Sequence, residues 1–210
     1  MIGRALYNAI VRSLNLSNVL RSPKIIEAFE KIDRKDFVRP EYINYAYDDI
    51  PLPIGYNQTI SQPTTVAFML ELLELKRGLK VLDIGSGSGW TTALLGYIVG
   101  KKGKVVGVEV IPELVNFGRN NIAKYCHELN INIFSAGEVI GYPLNAPYDR
   151  ILVSASADKI SKELIKQLKI FGILVIPVKN SIYKLVRKSS NIDDVLKEEY
   201  PGFVFVPLRK

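Results

Sequence analysis

The chain has 210 residues, 48% hydrophobic and 23% charged, with a net charge of +7 and a pI near 9.3. That length suits one sizeable α/β domain with a modest extension and is short for two independent ones, and the composition argues against long disordered stretches. A basic balance favours acidic partners in principle, yet Lys101, Lys102, Lys159, Lys162, Lys166 and Lys169 are scattered, so solvent-facing helices account for them and nucleic acid is not expected as a partner.

The first fifteen residues lack the charged, apolar and small-residue sections of a secretory leader, and no stretch approaches the ~18 apolar residues of a membrane span. Helical spacing of apolar positions runs through 4–20 (Leu6, Ile10, Leu14) and 23–32 (Ile25, Ile26, Phe29, Ile32). Ser22 before Pro23 supplies an N-cap with proline at the first helical position. From Pro40 to Pro63 the four prolines Pro40, Pro51, Pro53 and Pro63 forbid a regular helix. A loop of this length is expected to be functional, and its Tyr and Ile content argues against disorder.

Beyond it the pattern alternates. Thr64–Leu75 reads as helix, Lys80–Gly85 as strand, Trp90–Val99 as helix, Val105–Val110 as strand and Pro112–Tyr125 as helix. Cys126, the only cysteine, excludes an internal disulfide and points to a reducing, cytoplasmic setting. Strands follow at Ile131–Phe134 and Arg150–Ser154, a helix at Ser161–Leu168 and a strand at Ile173–Val178. This order specifies a doubly wound, mostly parallel sheet with helices on both faces. Two last strands, about 182–187 and 202–208, are joined by a charged segment without a crossover helix and suggest an antiparallel edge. Residues 1–79 read as helices and a covering loop packed on an 80–210 core, one domain overall.

The strongest local signal is Val81-Leu82-Asp83-Ile84-Gly85-Ser86-Gly87-Ser88-Gly89-Trp90, an apolar strand running into a glycine-rich turn that opens a helix. Glycines let the backbone turn sharply and approach a ligand closely, with helix N–H groups aimed at it. Glu109, 24 residues after Gly85 at the end of the next strand, can accept ribose hydroxyls. A dinucleotide fold places a third glycine where this chain has Trp90. The spacing D-x-G-x-G-x-G instead resembles motif I of class I S-adenosylmethionine-dependent methyltransferases, in which the turn packs against the methionine part of the cofactor and Asp83 can orient its amino-acid end.

Upstream, Tyr47-Asp48-Asp49-Ile50-Pro51-Leu52-Pro53-Ile54-Gly55 leads into Gln58-Thr59-Ile60-Ser61-Gln62-Pro63. These segments resemble the Y-x-D-x-x-L-P-I-G and Q-T-I-S-x-P signatures of the protein-L-isoaspartate O-methyltransferases. The resemblance extends to Lys35-Asp36-Phe37-Val38, Ala146-Pro147-Tyr148-Asp149-Arg150-Ile151, Gln167-Leu168-Lys169 and Phe205-Val206-Pro207-Leu208. It implies a Rossmann-like methyltransferase fold and methyl transfer from S-adenosylmethionine to the α-carboxylate of isoaspartyl residues in damaged proteins, a repair reaction. By that resemblance Ser61 is the active-site serine that hydrogen-bonds the substrate carboxylate. Gln58, Thr59 and Ile60 cover the cofactor, and Asp83, Gly85, Ser86, Gly87, Ser88, Gly89 and Glu109 hold it; no metal is implied.

Three positions depart from the family pattern. Where the family has G-D-G before G-W-P, this chain reads Ala136-Gly137-Glu138 before Gly141-Tyr142-Pro143. Gly137 thus occupies the aspartate position, and the adenine-side carboxylate is missing or supplied by Glu138, which predicts altered cofactor affinity. Asn57 and Lys179 stand where the family has glycine and leave room for altered substrate recognition. Asn57 can still take φ > 0, less freely than glycine.

The carboxylate acceptor is already ionised near neutral pH, since its reference pKa lies near ~3.5, so no general base is needed. His127, the only histidine, follows the predicted 112–125 helix and is expected in the surface or core. Three other readings compete: an RNA methyltransferase of the same fold, a non-catalytic relative motivated by Gly137, and, more distantly, a NAD-linked dehydrogenase.

Overall fold

The computed structural model describes residues 11–125 and 129–209; Cys126, His127 and the opening of the first predicted helix, with Leu6 and Ile10, lie outside the described residues. Residues 11–16 are helical, and the segment closes earlier than the apolar spacing predicts, on Asn18 at φ 59 with Leu20 N–H reaching back to the Leu14 carbonyl. Helix α1 (Pro23–Lys31) follows as expected, but Ser22 does not cap it with its side chain. The Ser22 hydroxyl and the main-chain N–H groups of Arg21 and Ser22 all donate to the Glu71 carboxylate, so the residue joins α1 to the next helix.

The proline-rich stretch contains more order than its sequence suggests. Short 3₁₀ turns at Arg34–Phe37 and Pro40–Tyr45 precede a hairpin of β1 (Leu52–Gly55) and β2 (Gln58–Ile60). Prolines are tolerated because this hairpin is a separate two-stranded sheet, where a missing N–H can face outward. Its turn puts Tyr56 and Asn57 at φ 55 and 57, so Asn57 does occupy a left-handed position.

The core comprises α2 (Pro63–Leu72), β3 (Lys80–Ile84), α3 (Trp90–Val99), β4 (Lys104–Glu109), α4 (Pro112–Ile122), β5 (Ile131–Ser135), β6 (Tyr148–Val153), α5 (Lys162–Lys166), β7 (Leu168–Val178), β8 (Ser181–Arg187) and β9 (Val195–Pro201). Among the described residues seven strands form one sheet in the order β5-β4-β3-β6-β7-β8-β9. β5, β4, β3, β6 and β7 pair in parallel, while β8 and β9 add antiparallel to β7. The antiparallel edge stands as read, but its last strand is 195–201 rather than 202–208. Val195–Pro201 is largely exposed and carries the consecutive charged residues Lys197, Glu198 and Glu199, so its pattern looks like a solvated linker. The apolar 202–208 stretch instead crosses the end of the sheet, bridging to Ser156.

Period-two alternation divides the core. Val81, Val105, Ile133, Leu152 and Val175 face α1 to α4, whereas Leu82, Val106, Ile151 and Leu174 face Tyr148 and the short α5. Phe29 of α1 meets Trp90 of α3 edge-on at 5.5 Å, both fully enclosed. Truncating such an aromatic costs about 3–5 kcal/mol. Residues 136–147 connect β5 to β6 with only a 3₁₀ turn, Pro143–Asn145. Gly141 (φ +92) is wrapped by Gln167, whose side chain accepts from Tyr142 N–H and donates to the Ile140 carbonyl. Among the described residues no helix is long and apolar enough to cross a membrane.

Candidate active site

Because the chain runs from β3 to β4 and β5 on one side and then returns to β6 on the other, a crevice opens beyond the carboxyl ends of β3, β4 and β6. Ligands of open α/β sheets bind at such reversals. The glycine turn occupies this point. Gly85, Gly87 and Gly89 have φ +74, +49 and +87. A Cβ on Gly89 would lie 2.8 Å from Ile122 and 3.0 Å from the Gly118 carbonyl; one on Gly87 would lie 3.0 Å from Ile54. Helix α4 and the β1–β2 hairpin therefore press on the turn from two sides. Asn121 adds a hydrogen bond from its amide to the Ser88 carbonyl at 2.9 Å.

Glu109, at the end of β4, is held by three main-chain donors. Oε1 accepts from Val110 and Ile111, and Oε2 accepts from Gly87 at 3.0 Å. A carboxylate has about four acceptor positions, so roughly one remains on Oε2 for a ligand hydroxyl, and a second would have to share. Asp83 sits behind the turn, fully buried. Its Oδ2 accepts from the Thr91 and Thr92 hydroxyls, each at 2.7 Å, and Oδ1 from Ser154 at 3.4 Å. Burial pushes its pKa up to about 6, opposed by the Thr92, Thr91 and Ser154 hydroxyls and reinforced by nearby Glu109.

Two adjoining cavities occupy the crevice. The smaller, about 40 Å³, is lined by Thr59, Ile60, Ser61, Gly85, Ser86, Gly87, Ser88, Trp90, Thr91 and Ser154 together with apolar Val66, Met69, Leu152 and Phe205. The larger, about 470 Å³, takes in Gln58, Thr59, Gly85, Gly87, Glu109, Gly137 and Glu138, a size ordinary for a cofactor site. Thus the loop serine and the glycine turn meet at one surface. Asp83 and Gly89 line neither cavity. Asp83 accepts from the Thr91 and Ser154 hydroxyls, which do line the smaller one, and Gly89 caps α3.

The residues fit a nucleoside ligand with a polar amino-acid end. Ser86 Oγ is buried without a partner in the cavity wall, the Glu109 carboxylate is fixed at the larger cavity, and Gly137 is open enough that a Cβ would meet nothing within 4 Å. Gly137 and Glu138 are both exposed on the uncovered 136–147 connection.

Four contributions are not foreseen from the sequence. Gly118 and Asn121 support the turn from α4, where only their helical spacing is visible in sequence. Ser154 follows β6 and bonds Asp83. Arg34 is completely buried and donates to the carbonyl of Ser61 at 3.1 Å; an arginine close before Phe37-Val38 was its only trace. The C-terminal segment, seen only as a motif, supplies Phe205 to one cavity and Val206–Arg209 to the other. Main-chain bonds from Ser156 N–H to Val206 and from Leu208 N–H to Ser156 hold it there.

The sequence profile of the family described as Protein-L-isoaspartate(D-aspartate) O-methyltransferase matches residues 5–210. A protein-L-isoaspartate O-methyltransferase of Thermococcus onnurineus is 42% identical over 203 residues, covering 94% of this chain and 90% of the relative. One from Fervidobacterium nodosum is 46% identical over 191 residues, covering 90% of this chain and 94% of its own. Among solved structures, a Plasmodium falciparum chain crystallised with S-adenosyl-L-homocysteine superposes with a TM-score of 0.85 at 24% identity, covering 97% of this chain and 98% of the other. That likeness establishes the shared fold.

Proposed function

This chain belongs to the protein-L-isoaspartate O-methyltransferase family, and from that premise we propose that its crevice transfers a methyl group to the free α-carboxylate of isoaspartyl residues, with Ser61 receiving that carboxylate. The observation that carries the reading is the meeting of Ser61 with Gly85–Ser88 at the small cavity.

S-adenosyl-L-methionine, when bound, supplies a methyl group on a positively charged sulfur. Gly85, Gly87 and Glu109 are the residues that would hold it, with Gln58, Thr59 and Ile60 above and Gly137 and Glu138 at the outer edge. Asp83 would set the Thr91 and Ser154 hydroxyls that face the cavity. The Ser61 hydroxyl can donate to the substrate carboxylate and fix its approach. Val66, Met69, Trp90, Leu152 and Phe205 present apolar surface and keep water from the reacting atoms. Transfer cancels an anion and a cation, so excluding water favours the less polar transition state. Holding acceptor and donor in line contributes several kcal/mol more. No side chain need remove a proton, because the acceptor is ionised well above its reference pKa of ~3.5.

The reading extends to damaged proteins as partners and to a cytoplasmic setting, the latter from the single cysteine. The test uses labelled cofactor with a peptide pair differing only in isoaspartate versus aspartate, beside bulk tRNA. Base-labile label confined to the isoaspartyl peptide is expected, and Ser61→Ala loses most of it. Label on tRNA, or equal label on both peptides, overturns the proposal.

A further inference from the structure

Ser61 lies in a gap between regular elements. The last ladder pair of the hairpin is Leu52–Ile60, and the first residue of α2 is Pro63. Neither sheet pairing nor helical pairing fixes its main chain from both sides. What reaches it is the guanidinium of Arg34, which is completely buried. Nη2 donates to the carbonyls of Ser61 at 3.1 Å and Ile50 at 2.9 Å, while Nη1 donates to Ala46 at 2.8 Å and Asp48 at 3.2 Å. The same group lies over the Trp90 ring, 5.4 Å from its centroid, at the residue that follows the glycine turn. The loop is pinned again one residue before Ile50, where the Asp49 carboxylate accepts from the N–H and hydroxyl of Thr64 on α2.

We propose that Arg34 is a positioning residue for Ser61, locking the serine main chain to the 46–50 loop and to the Trp90 end of the glycine turn. Charge-assisted bonds from a rigid planar fork can hold four carbonyls from separated segments at once. A lysine ammonium has three donors on a flexible stem and cannot reproduce that span. Arg34 therefore sets where the Ser61 hydroxyl stands, without touching substrate. The inference rests on the role proposed for Ser61.

The test compares the full-length protein with Arg34→Lys, Ser61→Ala and the double variant. It reads kcat/KM on an isoaspartyl peptide, the Kd of S-adenosyl-L-homocysteine by calorimetry, and amide exchange. Arg34→Lys is expected to lower kcat/KM roughly ten- to a hundredfold, the scale of ångström misplacement. Affinity for S-adenosyl-L-homocysteine should hold within about twofold, and added to Ser61→Ala the change should cost no more than about twofold further. Amide exchange should quicken in 46–62 and not in β3 or β6. Full additivity of the two losses, a parallel loss of ligand affinity, or wild-type kcat/KM in Arg34→Lys overturns the inference while leaving Ser61 in place. Undiminished activity in Ser61→Ala instead removes the serine from the mechanism, and the Arg34 role with it. Should Arg34→Lys not fold, Arg34→Gln, which keeps a donor amide, is measured in the same three ways, and the same results support or overturn the inference.

Discussion

Glu109 Oε2 accepts the Gly87 N–H at 3.0 Å, which ties the end of β4 to the turn that follows β3. Replacing the carboxylate by an amide removes the charge and turns an N–H₂ group toward main-chain donors. Glu109→Gln is expected to weaken S-adenosyl-L-homocysteine binding about ten- to a hundredfold, as loss of a charged hydrogen-bonding group does. Calorimetry measures this directly, and an unchanged Kd removes Glu109 from the ligand site.

Gly137 has space where the family carries an aspartate. Gly137→Asp adds an acceptor at the edge of the larger cavity without a steric conflict. Binding of S-adenosyl-L-homocysteine should tighten roughly three- to tenfold, about the net worth of one ordinary hydrogen bond at an exposed edge. If instead Glu138 already serves that purpose, Glu138→Gln weakens binding and Gly137→Asp restores it. No response to either change would show that this edge needs no carboxylate.

The buried Asp83 makes stability depend on pH. Its pKa rises from 3.8 to about 6 on folding, so between those values the folded chain binds more protons than the unfolded one. The contribution is most favourable below the unfolded value and is lost as pH rises through 6. The ceiling is about 3 kcal/mol at about 1.4 kcal/mol per pH unit. Urea unfolding of wild type and Asp83→Asn at pH 4 and pH 7 isolates it. The variant should gain relative to wild type on going to pH 7, and a difference constant with pH would rule out the shift.

Lys179 takes φ 54 in the β7–β8 turn, and Asn57 takes φ 57 in the β1–β2 turn. A side chain with a Cβ is strained there, and asparagine less so than lysine. After glycine's extra chain entropy is subtracted, Lys179→Gly should stabilise by about 0.5–1 kcal/mol. Asn57→Gly should do less, and thermal melting ranks the two. The reverse order would mean that the Lys179 side chain makes a compensating contact.

The cofactor half of the site was readable because local pattern and local structure coincide there. Trp90–Val99 has the same bounds in sequence and structure, fixed by Gly89 before it and Gly100 after it. Glu109 follows from strand length alone. The partners of Arg34 were not readable, since the carbonyls it serves lie 12 to 27 residues onward and main-chain acceptors leave no mark on residue identity. Asp83 was read as a cofactor contact, while its position one layer back depends on which face of β3 turns toward α3. The β1–β2 hairpin was hidden by Pro51 and Pro53, and β9 by its exposure, because apolar alternation marks only strands that bury a face.

That last strand ends the sheet on a flank carrying Lys197, Glu198, Glu199 and Pro201. Lys197 lies over the Tyr183 ring, Glu198 pairs with Lys184, and the Ser181 hydroxyl donates to Glu199, all on the neighbouring strand. A stranger's backbone docking there would have to strip water from these charges and would meet a residue with no N–H to offer. The open end of the sheet thus carries its own barrier to the addition of a further strand.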